Sequence, residues 1–134
     1  MITEDYVSFE VAKLLKEKGF DEKCSYEWGV PDIDGGYILQ KWSIYNGEIR
    51  NSELINDAYA APTLQMACKW LREVHNACIC INMVGNEDDS YALFTYNIYQ
   101  NKNYKLIFGS NIPKYNSYEE AVEAAIKYTL ENLI

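Results

Sequence analysis

The segment that decides the fold is residues 62–84, PTLQMACKWLREVHNACICINMV. Its first part, 62–75, is amphipathic, because apolar side chains recur at helical spacing and polar side chains fill the opposite arc. The apolar positions are Leu64, Ala67, Cys68, Leu71, Val74 and His75. Residues 77–84 form a nearly continuous apolar run of strand length, typical of a strand that is buried on both faces. Only Asn76 separates the two, so the helix and strand must pack on each other, and 77–84 is predicted as the central strand.

The rest of the chain adds two helices and several strands. Ser8 is a good N-cap for a first helix that ends before Gly19, and Ser117 with Glu120 forms a capping box for a last helix. Alternating segments predict strands over 24–28, 37–45, 91–100 and 104–108. The sequence therefore predicts a single α+β domain over residues 1–134, with an antiparallel sheet and helices packed on one face. After the N-terminal helix, the order also indicates a βββα pseudo-repeat.

Composition limits the function classes. With 134 residues, 24% charged and 49% hydrophobic, the chain matches a soluble one-domain protein. The net charge of -8 and the scattered Lys and Arg residues make direct nucleic-acid binding unlikely. No apolar run approaches the roughly 18 residues of a membrane span, and the acidic N-terminus lacks the features of a signal peptide. We expect a cytoplasmic protein that does not engage a membrane and whose four cysteines are reduced.

One cluster has the residue types of a metal site. The candidates are Cys68, His75, Cys78 and Cys80. The last two share a strand face, and the first two lie on the predicted helix face nearby. However, zinc sites use Cys-x2-4-Cys knuckles in loops rather than Cys-x-Cys in an apolar strand. Core packing is therefore the favoured interpretation, and no metal or cofactor is predicted.

Catalytic signals are weak. His75 is the only histidine, and no nucleophile motif or phosphate-binding glycine loop occurs. Acidic residues in two predicted turns could bind a hard cation or act as paired carboxylates, although such residues are common in turns. They are Asp32, Asp34, Glu87, Asp88 and Asp89. Whether the protein is an enzyme stays uncertain, and the sequence leans against it.

Two residues are candidates for an interaction surface. Met66 and Trp70 lie one turn apart at the margin of the apolar arc of the helix over 62–75. Trp and Met are enriched in interfaces, but a helix buried deeper than usual under its neighbouring helices is the slightly favoured interpretation. The twelve tyrosines carry the same ambiguity, since an aromatic recognition surface and AT-rich codon usage both account for them.

Three blocks of the sequence carry a resemblance. They are SFEVAKLLKEKGF at 8–20, APTLQMACKWLREVH at 61–75 and YNSYEEAVEAA at 115–125. In this order they resemble a family of short uncharacterised proteins of gut bacteria and their phages or mobile elements. The resemblance implies a small intracellular accessory protein of phage or mobile-element origin, and it implies no activity or catalytic residue.

Three function hypotheses follow. The favoured one is a non-enzymatic interaction protein that binds a protein partner or its own copy through its surface. The second is a small ligand-binding module or enzyme, with a pocket near the connection 51–61 that is lined by Trp28, Trp42 or several tyrosines. The third is an acidic DNA mimic, in which carboxylates stand in for phosphates.

Overall fold

The structure is a computed structural model that describes residues 1–29, 35–42, 47–85, 91–110 and 113–134. In these ranges the chain forms an α+β fold with antiparallel strand pairing. The elements are, in order, α1 (Phe9–Glu17), β1 (Tyr26–Gly29), β2 (Ile38–Lys41), β3 (Tyr59–Ala61), α2 (Leu64–His75), β4 (Ala77–Gly85), β5 (Ala92–Gln100), β6 (Leu106–Gly109) and α3 (Tyr118–Asn132). Two compact units, Met1–Gln65 and Met66–Ile134, divide the chain within α2. The single-domain expectation stays a prediction.

The first unit contains α1 and a three-stranded sheet in the order β2-β1-β3. The helix begins where its cap was predicted, because Ser8 Oγ accepts a hydrogen bond from the Val11 backbone N–H at 3.3 Å. It ends before Gly19, whose φ of 91° is a conformation that glycine adopts without strain. Packing of α1 against β3 buries Val11 and Leu15.

The two faces of this sheet have different chemistry. Trp28 lies on the α1 face, where its ring contacts Phe9 edge-on and its Nε1–H donates to the Val7 carbonyl at 2.9 Å. Because side chains alternate along a strand, Glu27 and Gly29 lie on the opposite face. Gln40 is the cross-strand partner of Glu27, so it shares that face. Glu27 and Gln40 thus lie on the face turned away from α1, whereas Lys41, the partner of Tyr26, lies on the face of Trp28.

The second unit contains a sheet in the order β4-β5-β6, with α3 packed against β4 and β5. Tyr128 of α3 stacks on Phe108 of β6, with ring centroids 4.0 Å apart, and lies close to Tyr96 of β5. Ser117 Oγ accepts from the Glu120 N–H, which confirms the predicted N-cap. The Glu120 carboxylate in turn accepts from the Asn116 N–H, one residue before the position that a capping box requires.

Three predictions about the segment 62–84 are wrong. Its strand is not central, because β5 occupies the middle of the second sheet, and β4 is at the edge. It is not buried on both faces either, since its second half is exposed and Met83 is 69% accessible. Successive hairpins place the middle strand in sequence at the middle of the sheet, whatever its hydrophobicity. Val74 was assigned to the buried stripe, yet it is 58% exposed.

The predicted pseudo-repeat is present in element order but not in sheet topology. After α1 the chain runs β1-β2-β3-α2 and then β4-β5-β6-α3. The six strands form two separate three-stranded sheets. In the first sheet the first strand of its series is central, whereas in the second sheet the second strand is central. The two halves therefore share a pattern of elements without sharing a strand arrangement.

Replacing Leu71 with Ala tests the core assignment of α2. Leu71 is fully buried, so we expect Leu71→Ala to lower the free energy of unfolding by about 2–5 kcal/mol through lost burial and the cavity left behind. Val74→Ala on the exposed side of the same helix is the matched control, with an expected change within about 0.5 kcal/mol. Urea denaturation measures both, and equal midpoints for the two variants would contradict the assignment.

Candidate functional site

A cavity of about 310 Å³ lies in the first unit, on the face of its sheet that carries Glu27 and Gln40. Two lining residues belong to β1, one belongs to β2 and one directly follows β2. The other five come from the connection between β2 and β3. The sheet residues are Glu27, Gly29, Gln40 and Trp42, and the connection contributes Glu53, Leu54, Ile55, Asp57 and Ala58. The pocket predicted near 51–61 thus has a counterpart in the structure, built from the connection and from Trp42.

Glu27 is the buried polar side chain among the described residues that line this cavity. It is only 5% exposed, and its Oε1 accepts a hydrogen bond from Gln40 Nε2 at 2.9 Å. Its Oε2 is shielded from solvent and has no hydrogen-bond partner among the described residues. Buried carboxyl oxygens are nearly always hydrogen-bonded, because an unpaired one loses its hydration without compensation. Glu27 therefore retains an unused acceptor beside a cavity.

Gly29 makes room for the pair that Glu27 and Gln40 form. A Cβ built on Gly29 would lie 2.9 Å from Gln40 Nε2 and 3.5 Å from Glu27 Oε1. Since Gln40 would have to shift to accept that atom, any larger residue at position 29 displaces its amide. The glycine on β1 thus permits the side-chain contact between β1 and β2 that orients Glu27.

The connection that forms the other wall is held in place by Asn51. This residue is buried, and it begins a single 3-10 turn, Asn51–Glu53. Its Nδ2 donates to the Phe20 carbonyl and its Oδ1 accepts from the Ala60 N–H, both at 2.8 Å. One amide side chain thereby joins the end of the α1 region, the turn and β3. The cavity wall is consequently ordered before any ligand arrives.

Two charged side chains add to this support. Lys16 Nζ donates to the carbonyls of Ile55 and Ala58 at 3.0 and 2.9 Å, which holds the far end of the connection against α1. Asp21 Oδ1 accepts from the Ser52 N–H at 2.7 Å, and this hydrogen bond lowers the pKa of the Asp21 carboxyl. The connection is therefore anchored at its start, at its turn and near its end.

The cysteines of the candidate metal cluster are buried to different degrees. All four cysteines are free thiols, and Cys68 is buried while Cys78 and Cys80 are half-buried. Burial raises the pKa of the Cys68 thiol to about 11 and that of the Cys24 thiol to about 12, so both are protonated at neutral pH. Within the described ranges, no group of three or more His, Cys, Asp or Glu residues is placed to hold a metal ion.

The structure separates the remaining candidates. Trp70 is buried and its ring contacts that of His75 edge-on at 4.7 Å, so of the proposed pair only Met66 is at the surface. Trp28, expected at the pocket, is instead engaged with α1 as described above. The acidic turn candidates Asp32, Asp34, Glu87, Asp88 and Asp89 lie outside the described residues.

Glu27 was not identified from the sequence. It stands between Tyr26 and Trp28, where alternation assigns it to a polar and hence solvated face. One feature of the sequence could have indicated this site: Gln40 and Trp42 share a face of the predicted strand 37–45. In the structure both side chains line the same cavity. Which face of the first strand meets them depends on strand pairing, and the sequence does not state that pairing.

Comparison with known proteins adds no relative. No family model, curated protein or solved structure matches the chain. No helix in the described part of the chain is long and apolar enough to cross a membrane.

Substitution of Asn51 tests the support of the cavity wall. Asn51→Ala leaves the buried Phe20 carbonyl and Ala60 N–H without their partner, so we expect a loss of about 2–4 kcal/mol in unfolding free energy. Asn56→Ala, on the exposed part of the same connection, should change it by no more than about 0.5 kcal/mol. Denaturant unfolding compares them, and a variant pair with the same midpoint would show that Asn51 does not organise the connection.

Proposed function

We propose that this protein binds a small ligand in the cavity of the first unit. The observation that carries the proposal is Glu27, a buried carboxyl with one oxygen held by Gln40 and the other unpartnered among the described residues. Sites for small molecules combine apolar walls with a few placed polar groups, and this cavity has that composition. A volume of about 310 Å³ suits a ligand of metabolite size.

Binding is favoured over catalysis at this site. Among the described lining residues there is no cysteine, serine, histidine, lysine or tyrosine, so a hydroxyl or thiol nucleophile paired with a histidine or lysine base is missing. The anchored connection also favours binding, because a wall that is ordered in advance reduces the entropy lost when a ligand is held. The cavity therefore supports a binding module, which is the non-enzymatic form of the pocket hypothesis.

A thermal-shift panel tests this function. We expect at least one compound from a panel of amines, amino acids, sugars and nucleosides to raise the melting temperature of the wild-type protein in a concentration-dependent way. Glu27→Gln should reduce that shift, because it replaces the unpartnered oxygen, whereas Glu131→Gln on the exposed side of α3 should preserve it. A panel without a stabilising compound, or one whose hits stabilise Glu27→Gln equally well, would contradict the proposal.

A second candidate function is self-association through β4. Within the described residues this edge strand is paired only with β5, and its nine residues, ACICINMVG, include no charge. Edge strands normally carry charged residues or proline, which prevent pairing with another chain. Exposed Met83 and Val84 add apolar area to the same strand. For a chain of net charge -8, an uncharged edge is where a second copy meets least repulsion.

Sedimentation across a concentration series tests the second candidate. We expect a reversible dimer whose dissociation constant rises about tenfold or more in Val84→Lys, since a charged lysine on an edge strand opposes pairing with a second strand. Asn56→Lys, on the exposed part of the connection between β2 and β3, adds the same single positive charge outside β4 and should leave the dissociation constant unchanged. A monomer at every concentration would rule this candidate out.

A host-protein partner, acidic DNA mimicry, a cytoplasmic location and a phage or mobile-element origin stay predictions.

A further inference from the structure

The ligand class can be inferred from the groups that line the cavity, an inference that rests on the proposed ligand-binding function. Three lining residues are acidic, Glu27, Glu53 and Asp57, and none is basic. We infer that the cavity of the first unit binds a small organic cation, a primary ammonium or guanidinium group on a short apolar chain. Phosphate and carboxylate ligands are excluded by the same charges, because no described lining residue offers a cation to them.

The hydrogen-bonding inventory requires a donor from the ligand. Gln40 Nε2 already donates to Glu27 Oε1, and Glu27 Oε2 is the unpartnered acceptor. A group that satisfies this oxygen must donate a hydrogen bond, and ammonium and guanidinium groups are donors only. Charge-assisted bonds of this kind are about twice as strong as neutral ones, so a cation gains more here than an alcohol of the same size.

The nearby basic side chains do not supply this charge. Lys16 uses its Nζ on the Ile55 and Ala58 carbonyls, and it is not among the residues that line the cavity. Arg50 lies 3.5 Å from the Glu53 carboxylate and likewise does not line the cavity. Glu53 is therefore partly balanced by a positive charge, while the only described partner of the Glu27 carboxyl group is the Gln40 amide.

A metal ion is a poorer fit than an organic cation. No three acidic, histidine or cysteine residues in the described ranges are arranged to hold a metal, so the three acidic residues do not converge as ligands. The cavity also presents Trp42, Leu54 and Ile55, which can cover an alkyl chain but contribute nothing to a hydrated metal ion. An indole face can stabilise an organic cation directly. Because the Trp42 side chain is exposed, it can turn toward such a ligand without disturbing the core.

A series of butyl compounds separates charge from size. The probes are n-butylammonium, n-butylguanidinium, n-butanol and butyrate, titrated into ¹⁵N-labelled protein. The indole N–H signals of Trp42 and Trp28 report the site and a reference, because the Trp28 N–H is bonded to the Val7 carbonyl outside the cavity. Trp42→Phe assigns the signal. We expect both cations to move the Trp42 signal, with dissociation constants at least about tenfold lower than that of n-butanol.

Two variants test the role of Glu27, and the possible outcomes distinguish a wrong ligand class from a wrong binding function. Glu27→Gln should weaken cation binding about tenfold or more, while Glu131→Gln should leave it unchanged, which controls for net charge. Butanol or butyrate binding as tightly as the cations at Trp42 would overturn the ligand class while supporting the binding function. Cations that leave Trp42 unmoved, or that bind Glu27→Gln equally well, would also overturn the class. The binding function itself then depends on the wider panel of compounds.

Discussion

The buried amide of Asn51 is the contact on which the first unit depends. Its two hydrogen bonds satisfy a carbonyl that follows α1 and an N–H of β3, so three separate pieces of backbone are fixed by one side chain. A long connection normally costs conformational entropy and stays mobile, but here Lys16 and Asp21 anchor it at further points. The connection can consequently act as a wall, and the cavity beside it exists because that wall is held away from the sheet.

Alternate side chains of β1 face α1 on one side of the sheet and the cavity on the other. Trp28 closes the apolar side against α1, and the next residues on either side, Glu27 and Gly29, face the cavity. The glycine lets the Gln40 amide approach, and that amide engages only one oxygen of Glu27. A polar group that is buried and only half hydrogen-bonded lowers stability. The proposed ligand-binding role accounts for its presence in an otherwise well-paired unit.

The second unit depends on a different device, aromatic packing. Tyr96, Phe108 and Tyr128 meet between the sheet and α3, and burial raises the pKa of Tyr96 to about 12. Its hydroxyl is thus neutral in the folded chain below that pH. Because the pKa of tyrosine is about 10 in the unfolded chain, the contribution of Tyr96 to stability falls as pH rises from about 10 to about 12. Part of the tyrosine excess in the sequence therefore has a packing role.

The sequence by itself determined the local elements. Ser8, Gly19 and Ser117 set helix ends through contacts within four residues, and the apolar period over 62–75 required a helix with Leu71 in its buried stripe. The α+β class followed from the order of these elements. Tertiary structure alone decided that β4 is an edge, because strand order depends on which hairpin partners meet rather than on hydrophobicity. Only the tertiary structure also revealed Glu27. Alternation assigns a residue to one face of the sheet, but it does not predict what packs on that face. Pairing of β1 with β2, and closure of the connection by Asn51, converted an apparently solvated carboxyl group into a buried one.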